Sequence, residues 1–284
     1  MNRIVYVNGY YVPQQDAQVS VFDRGFLFGD GVYEVIPVVN SRLVEASHAL
    51  VRLERSLDAI DLAWPCERER LAQMLEELRE RNALSEGYVY LQVTRGVAER
   101  DFVFPLDTPT TLVAYTTPKS ILANPLAESG VKVVSVPDLR WKRRDIKSVN
   151  LLAQCLAKQQ AALQGAFEAW MHEDAYVTEG GSSSAFIVVN DAIITRALSS
   201  AILPGIRRKV ILNIAEEHNI RLVERSFTLE EAYAADEAFL SSATTLVMPV
   251  VEIDGRRVAD GKPGPLSRRL RKMYIEMITQ ETAA

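Results

Sequence analysis

The chain has 284 residues, of which 48% are hydrophobic and 24% charged, so it can bury a full core in one large or two modest domains. Its formal net charge of −5 and pI near 5.4 offer no electrostatic footprint for nucleic acid or an anionic membrane surface. The two cysteines, Cys66 and Cys155, lack metal-like spacing and argue against a disulfide-built secreted fold, so no metal is expected.

In chain order, Met1-Asn2-Arg3-Ile4-Val5-Tyr6-Val7 is too short an apolar run for a signal peptide. No stretch approaches the roughly 20 apolar residues of a membrane span, and a soluble cytoplasmic protein is expected. Ile4 to Val7 and Tyr10 to Val12 read as strands about an Asn8-Gly9 turn. Val32 to Val39 is a further β-rich run ending at Asn40-Ser41. Ala46 to Asp61 has helical spacing, with Leu50, Leu53, Leu57 and Ile60 on one face, and Cys66 to Asn82 repeats it with Leu71, Met74, Leu75 and Leu78. Tyr88 to Thr94 and Thr111 to Tyr115 read as strands. Thr116 to Pro125 carries two prolines and no periodicity, which divides the chain into a small N-terminal α/β domain over 1–118, a linker over 119–125 and a larger domain over 126–284.

Val131 to Val136 is β-branched and extended. Ser148 to Gln164 reads as a helix with Leu151, Leu152, Cys155, Leu156 and Gln159 on its apolar face and Gly165 as C-cap, which puts Lys147 where a loop enters a helix. Strands follow at Ala175 to Val177, Ala185 to Val189 and Ala192 to Thr195, the last two joined by Asn190-Asp191. Gly205 to His218 is helical, Ala238 to Leu240 and Val250 to Ile253 are extended, Asp254-Gly255 is a hairpin signal, and Leu266 to Ile278 closes the chain as a helix.

The chemistry-bearing residues cluster after the linker. Lys147 can form an imine if burial or neighbouring charge disfavours its ammonium form, and Lys142, Arg143 and Arg144 supply positive charge in sequence. Glu179 reads either as a turn carboxylate or as a salt-bridge partner for a protonated pyridine nitrogen. Gly180-Gly181 followed by Ser182, Ser183 and Ser184 lets backbone approach a ring or phosphate, although such a stretch is more often simply a loop. Leu203-Pro204-Gly205-Ile206-Arg207 opens a helix, whose free amides attract phosphate, and Ser241-Ser242-Ala243-Thr244-Thr245 offers more small donors. Arg52, on the polar side of the first long helix, can add a bidentate contact. A lysine, a carboxylate and a phosphate cup together suit pyridoxal 5′-phosphate.

The runs Asp23-Arg24-Gly25-Phe26-Leu27-Phe28-Gly29-Asp30-Gly31-Val32-Tyr33-Glu34, Asp145-Ile146-Lys147-Ser148 and Thr178-Glu179-Gly180 carry a resemblance that extends nearly end to end. The chain resembles the fold type IV pyridoxal-phosphate enzymes, closest to the bacterial D-amino-acid transaminases. The resemblance implies a two-domain α/β (α+β) fold whose larger C-terminal domain is a pseudo-barrel. It implies that Lys147 holds the cofactor and shuttles the α-proton, that Glu179 meets the pyridine nitrogen with Arg140 behind it, and that Arg52 binds phosphate. Backbone amides of Ile206 and Arg207, Ser242 and the amide of Ala243 would complete the phosphate cup. Ser182 and Ser183 would stand near the ring, with Leu203 against its face.

Tyr33 and Arg100 resemble the trap for the substrate's α-carboxylate, with Arg100 reaching over from the other subunit of a homodimer. Phe102 stands where the relatives place a histidine that shares this carboxylate, Ser184 where they place asparagine, and Arg207 replaces a small hydroxyl residue. The implied activity is ping-pong transamination between D-amino acids, such as D-alanine and D-glutamate, and 2-oxo acids. Alternatives on the same fold are a branched-chain L-amino-acid transaminase, a 4-amino-4-deoxychorismate lyase, or a catalytically silent binding protein.

Overall fold

The computed structural model describes residues 3 to 283; Met1 and Asn2, with which the signal-peptide reading begins, lie outside the described residues, as does Ala284. The chain forms two compact units. One takes the residues up to Ser120 together with Ile146–Asn150 and the last residues from Thr282; the other takes Ile121–Asp145 and Leu151–Glu281. A division in chain order puts Lys147 with 126–284, whereas its segment packs with the first unit. Backbone bonding causes the difference: the Tyr33 N–H donates to the Lys147 carbonyl at 3.0 Å, and the Val149 N–H to the Gly31 carbonyl at 3.1 Å.

The first unit is built on six antiparallel strands, β1 (Ile4–Val7), β2 (Tyr10–Pro13), β3 (Gly31–Val39), β4 (Arg42–Leu43), β5 (Gly87–Thr94) and β6 (Thr111–Pro118), in the order β2-β1-β6-β5-β3-β4. Asn8 (φ 46°) and Gly9 (φ 101°) take the left-handed conformations that a two-residue hairpin turn demands. A short helix α1 (Arg24–Phe28) precedes β3, and α2 (Ala46–Asp58) and α3 (Arg68–Arg81) pack on the sheet. The helices bury Leu50, Leu53, Leu57, Leu71, Met74, Leu75 and Leu78, and the strands bury Ile36, Val38, Val89 and Leu91. Each such side chain contributes about 1.5–3 kcal/mol on leaving water. Helix α2 stops before the predicted Asp61. Asp61 is left-handed (φ 49°), and the Arg95 guanidinium takes the Ile60 and Asp61 carbonyls at 2.6 and 2.8 Å, placing a cation at the negative helix end.

The second unit carries nine strands: β7 (Val131–Pro137), β8 (Glu168–Glu173), β9 (Tyr176–Gly180), β10 (Ser184–Val189), β11 (Ala192–Thr195), β12 (Leu222–Glu224), β13 (Glu237–Ser242), β14 (Leu246–Ile253) and β15 (Arg256–Arg257). Their order is β12-β11-β10-β13-β14-β7-β8-β9, with β15 on β14. Strand β9 ends this path, yet only Gly181, Ser182 and Ser183 separate it from β10, which lies well back along the sheet. Three residues cannot span a flat sheet of that width. The sheet therefore curls, and the Gly180 N–H closes the corner on the Ser183 carbonyl at 2.7 Å.

Short α4 (Leu126–Ser129) precedes β7, α5 (Leu152–Leu163) crosses from β7 to its parallel neighbour β8, and α6 (Ile206–Glu217), α7 (Leu229–Tyr233) and α8 (Pro265–Ala283) follow. Stacked Phe186 and Phe239, 4.6 Å apart, lie in the interior with Trp170. Two readings of this half need correction. Helix α5 starts at Leu152, because Ser148 bridges β3 at Val32 instead of turning. Its inner face is also different: Leu152 and Leu156 are 74% and 57% exposed, and the buried pair is Ala157 and Ala161 against Val134, Val136, Ala169 and Met171. Small side chains let a crossover helix approach the sheet closely. Strand β8 was hidden in Glu168-Ala169-Trp170-Met171-His172-Glu173, a run whose charged ends mask an interior strand.

Candidate active site

In the first unit, strand alternation sends Tyr33 and Glu34 to opposite faces of β3. The Lys147 ammonium stands 4.1 Å from the centre of the Tyr33 ring. That ring heads a stack with Tyr90 and Tyr115 on β5 and β6, at 5.6 and 4.8 Å between centroids. Half-buried Lys147 is tied at its backbone, its N–H donating to Ser56 Oγ at 3.3 Å. Ser56 lies one helical turn beyond Arg52 on α2, so a single helix face carries the predicted phosphate arginine and the anchor of the predicted imine lysine.

Arg52 donates from Nε and Nη2 to the two Glu34 carboxylate oxygens at 2.8 and 2.7 Å. Glu34 is wholly buried, and this bidentate pair fixes the plane of the guanidinium. Glu34 was missed as a functional residue; its place directly after Tyr33 in the Gly-Asp-Gly run was the available signal. Arg100 is exposed, its guanidinium 5.3 and 5.5 Å from the rings of Phe28 and Phe102. Phe102 is 76% exposed and packs beside Phe28 at 5.5 Å.

In the second unit, Glu179 on β9 is buried. Arg140 Nη1 donates to its Oε1, and the Leu203 N–H reaches both carboxylate oxygens at 3.1 and 3.2 Å. Burial pushes the Glu179 carboxyl above the ordinary carboxylate range, against the pull of Arg140. Arg140 is itself clamped by Asp138, Nε to Oδ1 at 2.9 Å and Nη2 to Oδ2 at 2.7 Å. Asp138 also accepts from Thr178 Oγ1 at 2.6 Å. Burial works against ionisation of Asp138 as well, but its bonds from Arg140 and Thr178 prevail and hold it below the usual range.

Ser182 and Ser183 both donate to Oε2 of buried Glu168, at 2.7 and 3.1 Å, and Lys158 pairs with Oε1 at 3.2 Å. Their hydroxyl protons are thus spent on Glu168, which leaves the oxygens as acceptors. Asp138 and Glu168 were overlooked because lone acidic residues outside a motif read as surface charge.

Ile206 and Arg207 form the first turn of α6, where backbone amides lack helical acceptors, and Gly205 before them supplies no side-chain cap. The Arg207 side chain donates from Nη1 to Tyr274 Oη on α8 at 3.0 Å. Ser242 ends β13, its Oγ 2.8 Å from Thr245 Oγ1, and Ala243 follows in the turn. The Ser241 hydroxyl is buried without a partner, and its residue lies directly across from Ser184, whose Oγ would stand 2.8 Å from a Cβ on Gly205. A cradle with a bare helix start, no Cβ and an unsatisfied hydroxyl fits a phosphate monoester. Among the described residues, no group of three His, Cys, Asp or Glu could hold a metal ion, and no helix is long and apolar enough to cross a membrane.

A model of the class IV amino-transferases matches residues 31–253. The D-alanine aminotransferase of Listeria monocytogenes serotype 1/2a (strain 10403S) is 40% identical over 279 residues, covering 97% of this chain and 96% of that protein. That of Staphylococcus aureus (strain MSSA476) is 41% identical over 275 residues, covering 96% and 97%. A branched-chain amino acid aminotransferase of T.th., solved with pyridoxamine 5′-phosphate, matches with a TM-score of 0.90 at 25% identity, covering 99% of this chain and 95% of that one. With the family's match spanning most of the sequence and the curled sheet matching its solved fold, the chain belongs to the class IV aminotransferases, of fold type IV.

Proposed function

We propose that the protein transfers amino groups between D-amino acids, D-alanine and D-glutamate among them, and 2-oxo acids, with Lys147 as the catalytic residue. The observation that carries this reading is the setting of Lys147: its backbone is held by Tyr33 and Ser56, and among the described residues its ammonium meets an aromatic face. An amine held in place but not locked into an ion pair is available for imine exchange. The likeness to two D-alanine aminotransferases, 40% and 41% identical over nearly the whole chain, supports the substrate class.

The cofactor is pyridoxal 5′-phosphate, which supplies an aldehyde that condenses with amines and a ring that accepts the electron pair left at the α-carbon. Arg52, the amides of Ile206, Arg207 and Ala243, and Ser242 hold its phosphate. Glu179 keeps its ring nitrogen protonated, and Leu203 packs on the ring. Ser182 and Ser183 border the ring as acceptors, their protons committed to Glu168. Lys147 Nζ takes the α-proton from the substrate and returns it on the other side of the exchange. Tyr33, with Arg100 supplied by a second copy of the chain, binds the α-carboxylate, so the active form is a homodimer. The exposed setting of Arg100 supports a role reaching outward. Two unpaired cysteines support action in the reducing cytoplasm, on small molecules and not on nucleic acid or membranes.

The test is an absorbance titration of the yellow holoenzyme. D-alanine should bleach the cofactor band, and L-leucine and aminodeoxychorismate should not. Lys147→Ala should lose turnover by at least ~10³-fold while staying folded. Normal turnover in that variant, or bleaching by L-leucine alone, would overturn the assignment.

A further inference from the structure

Arg140 divides its five donors between two carboxylates. Nε and Nη2 form a two-pronged contact with Asp138, and Nη1 alone turns to Glu179. The backbone N–H of Arg140 also donates to Asp138 Oδ1 at 3.1 Å, so the guanidinium and its own main chain are pinned by one carboxylate. All three side chains are nearly excluded from solvent, with 6% of the Arg140 side chain exposed, 7% of Glu179 and none of Asp138. In such surroundings one negative charge strongly alters what a neighbouring cation offers to another.

We propose that Asp138 is a positioning residue: by occupying two prongs of Arg140 it limits how much positive charge reaches Glu179, and so sets how firmly Glu179 keeps a proton on the cofactor's ring nitrogen. The inference rests on the reading of Glu179 as the ring-nitrogen partner. A carboxylate bound by an unopposed arginine is a poor base. With Asp138 drawing on the same guanidinium, Glu179 remains a better one; burial is the main cause of the upward displacement of its carboxyl, and the Asp138 charge adds to it.

The other charged groups around the cluster are already engaged. Arg144 lies 3.4 Å from Asp138 Oδ2 and bonds Glu173 at 2.7 Å. On β8, Glu168 is held by Ser182, Ser183 and Lys158, and His172 Nδ1 lies 2.7 Å from the Asp174 carbonyl. From the segment after β11, Arg196 donates to the Val177 carbonyl at 3.2 Å. Thr178 Oγ1 is the remaining lever, because its 2.6 Å bond spreads part of the Asp138 charge.

The experiment reads the ¹⁵N resonance of ring-labelled pyridoxal phosphate in the holoenzyme against pH, which reports protonation of that nitrogen independently of turnover. Asp138→Asn should lower the pH at which the nitrogen loses its proton by about one unit or more. Asp138→Glu should restore it in part. Thr178→Val leaves the Asp138 charge undiluted and should move the midpoint the opposite way. Glu179→Gln should abolish ring protonation at neutral pH. If Glu179→Gln leaves the resonance unchanged, Glu179 is not the ring partner and the underlying reading fails. If Glu179→Gln acts but Asp138→Asn and Thr178→Val leave the midpoint within a few tenths of a unit, or shift it in the same direction, only the role of Asp138 is refuted. Should Asp138→Asn not fold, the direction of the Thr178→Val shift decides alone.

Discussion

Glu34 illustrates how a single buried carboxylate can orient a neighbouring arginine. Its two oxygens hold the Arg52 fork, and its side chain has no solvent exposure. Glu34→Gln keeps the shape but removes the buried charge that the Arg52 fork meets. The cofactor-free variant should lose about 2–4 kcal/mol of stability in urea melts. Its affinity for pyridoxal phosphate, followed by absorbance, should fall roughly tenfold or more. Unchanged affinity would mean that Glu34 does not set the arginine's orientation. Asp138 sets a pH limit of its own. Its folded-state pKa lies below the unfolded value, so its ionised form stabilises the fold above the usual aspartate range, near ~3.9, and that stabilisation is lost as the pH falls through the depressed value. Melting temperatures of the cofactor-free protein should drop steeply below about pH 4, and Asp138→Asn should lower the plateau above that range and flatten the drop.

At the scale of elements, turns and amphipathic helices were legible because their signals are local. Asn8-Gly9, Asn40-Ser41, Asn190-Asp191 and Asp254-Gly255 all adopt positive φ as their chemistry demands. Helices α2 and α3 bury the leucines their spacing picks out. Helix α5 was misread because it buries alanines, and apolar periodicity cannot tell a face that packs from one that remains exposed. The motif that singles out Lys147 is local, whereas the contacts that anchor the residue are not: Ser56 lies 91 positions away in sequence. Around Glu179, Asp138 and Leu203 come from separate loops, which only the curled sheet brings to one corner. Gly29 binds two such distant pieces. It is left-handed (φ 67°), and a Cβ there would stand 2.3 Å from Oδ1 of Asn150, whose Nδ2 donates to the Gly29 carbonyl at 2.9 Å. Gly29→Ala should therefore destabilise the protein by about 2 kcal/mol or more. It should also slow borohydride-trapped labelling of Lys147, read by peptide mass; normal labelling would show that the segment tolerates the displacement of Asn150.

For the whole molecule, the decisive fact is that the chain contributes residues 146–150 to the unit it had left at Ser120. No composition shift in the sequence marks that return. The acceptor for the Val149 amide is the Gly31 carbonyl. Hydrogen exchange should find this amide protected in the full chain and exchanging freely in a fragment of residues 121–284. Protection in the fragment would mean that the lysine segment orders itself without β3.

The bond from Arg207 to Tyr274 has a practical corollary for anyone handling this protein. Proteolytic trimming or an early stop codon that removes the final helix would strip the buried guanidinium of Arg207, a residue of the proposed phosphate turn, of its phenol partner. Damage at the carboxyl end would then surface as cofactor leakage, far in sequence from the lesion.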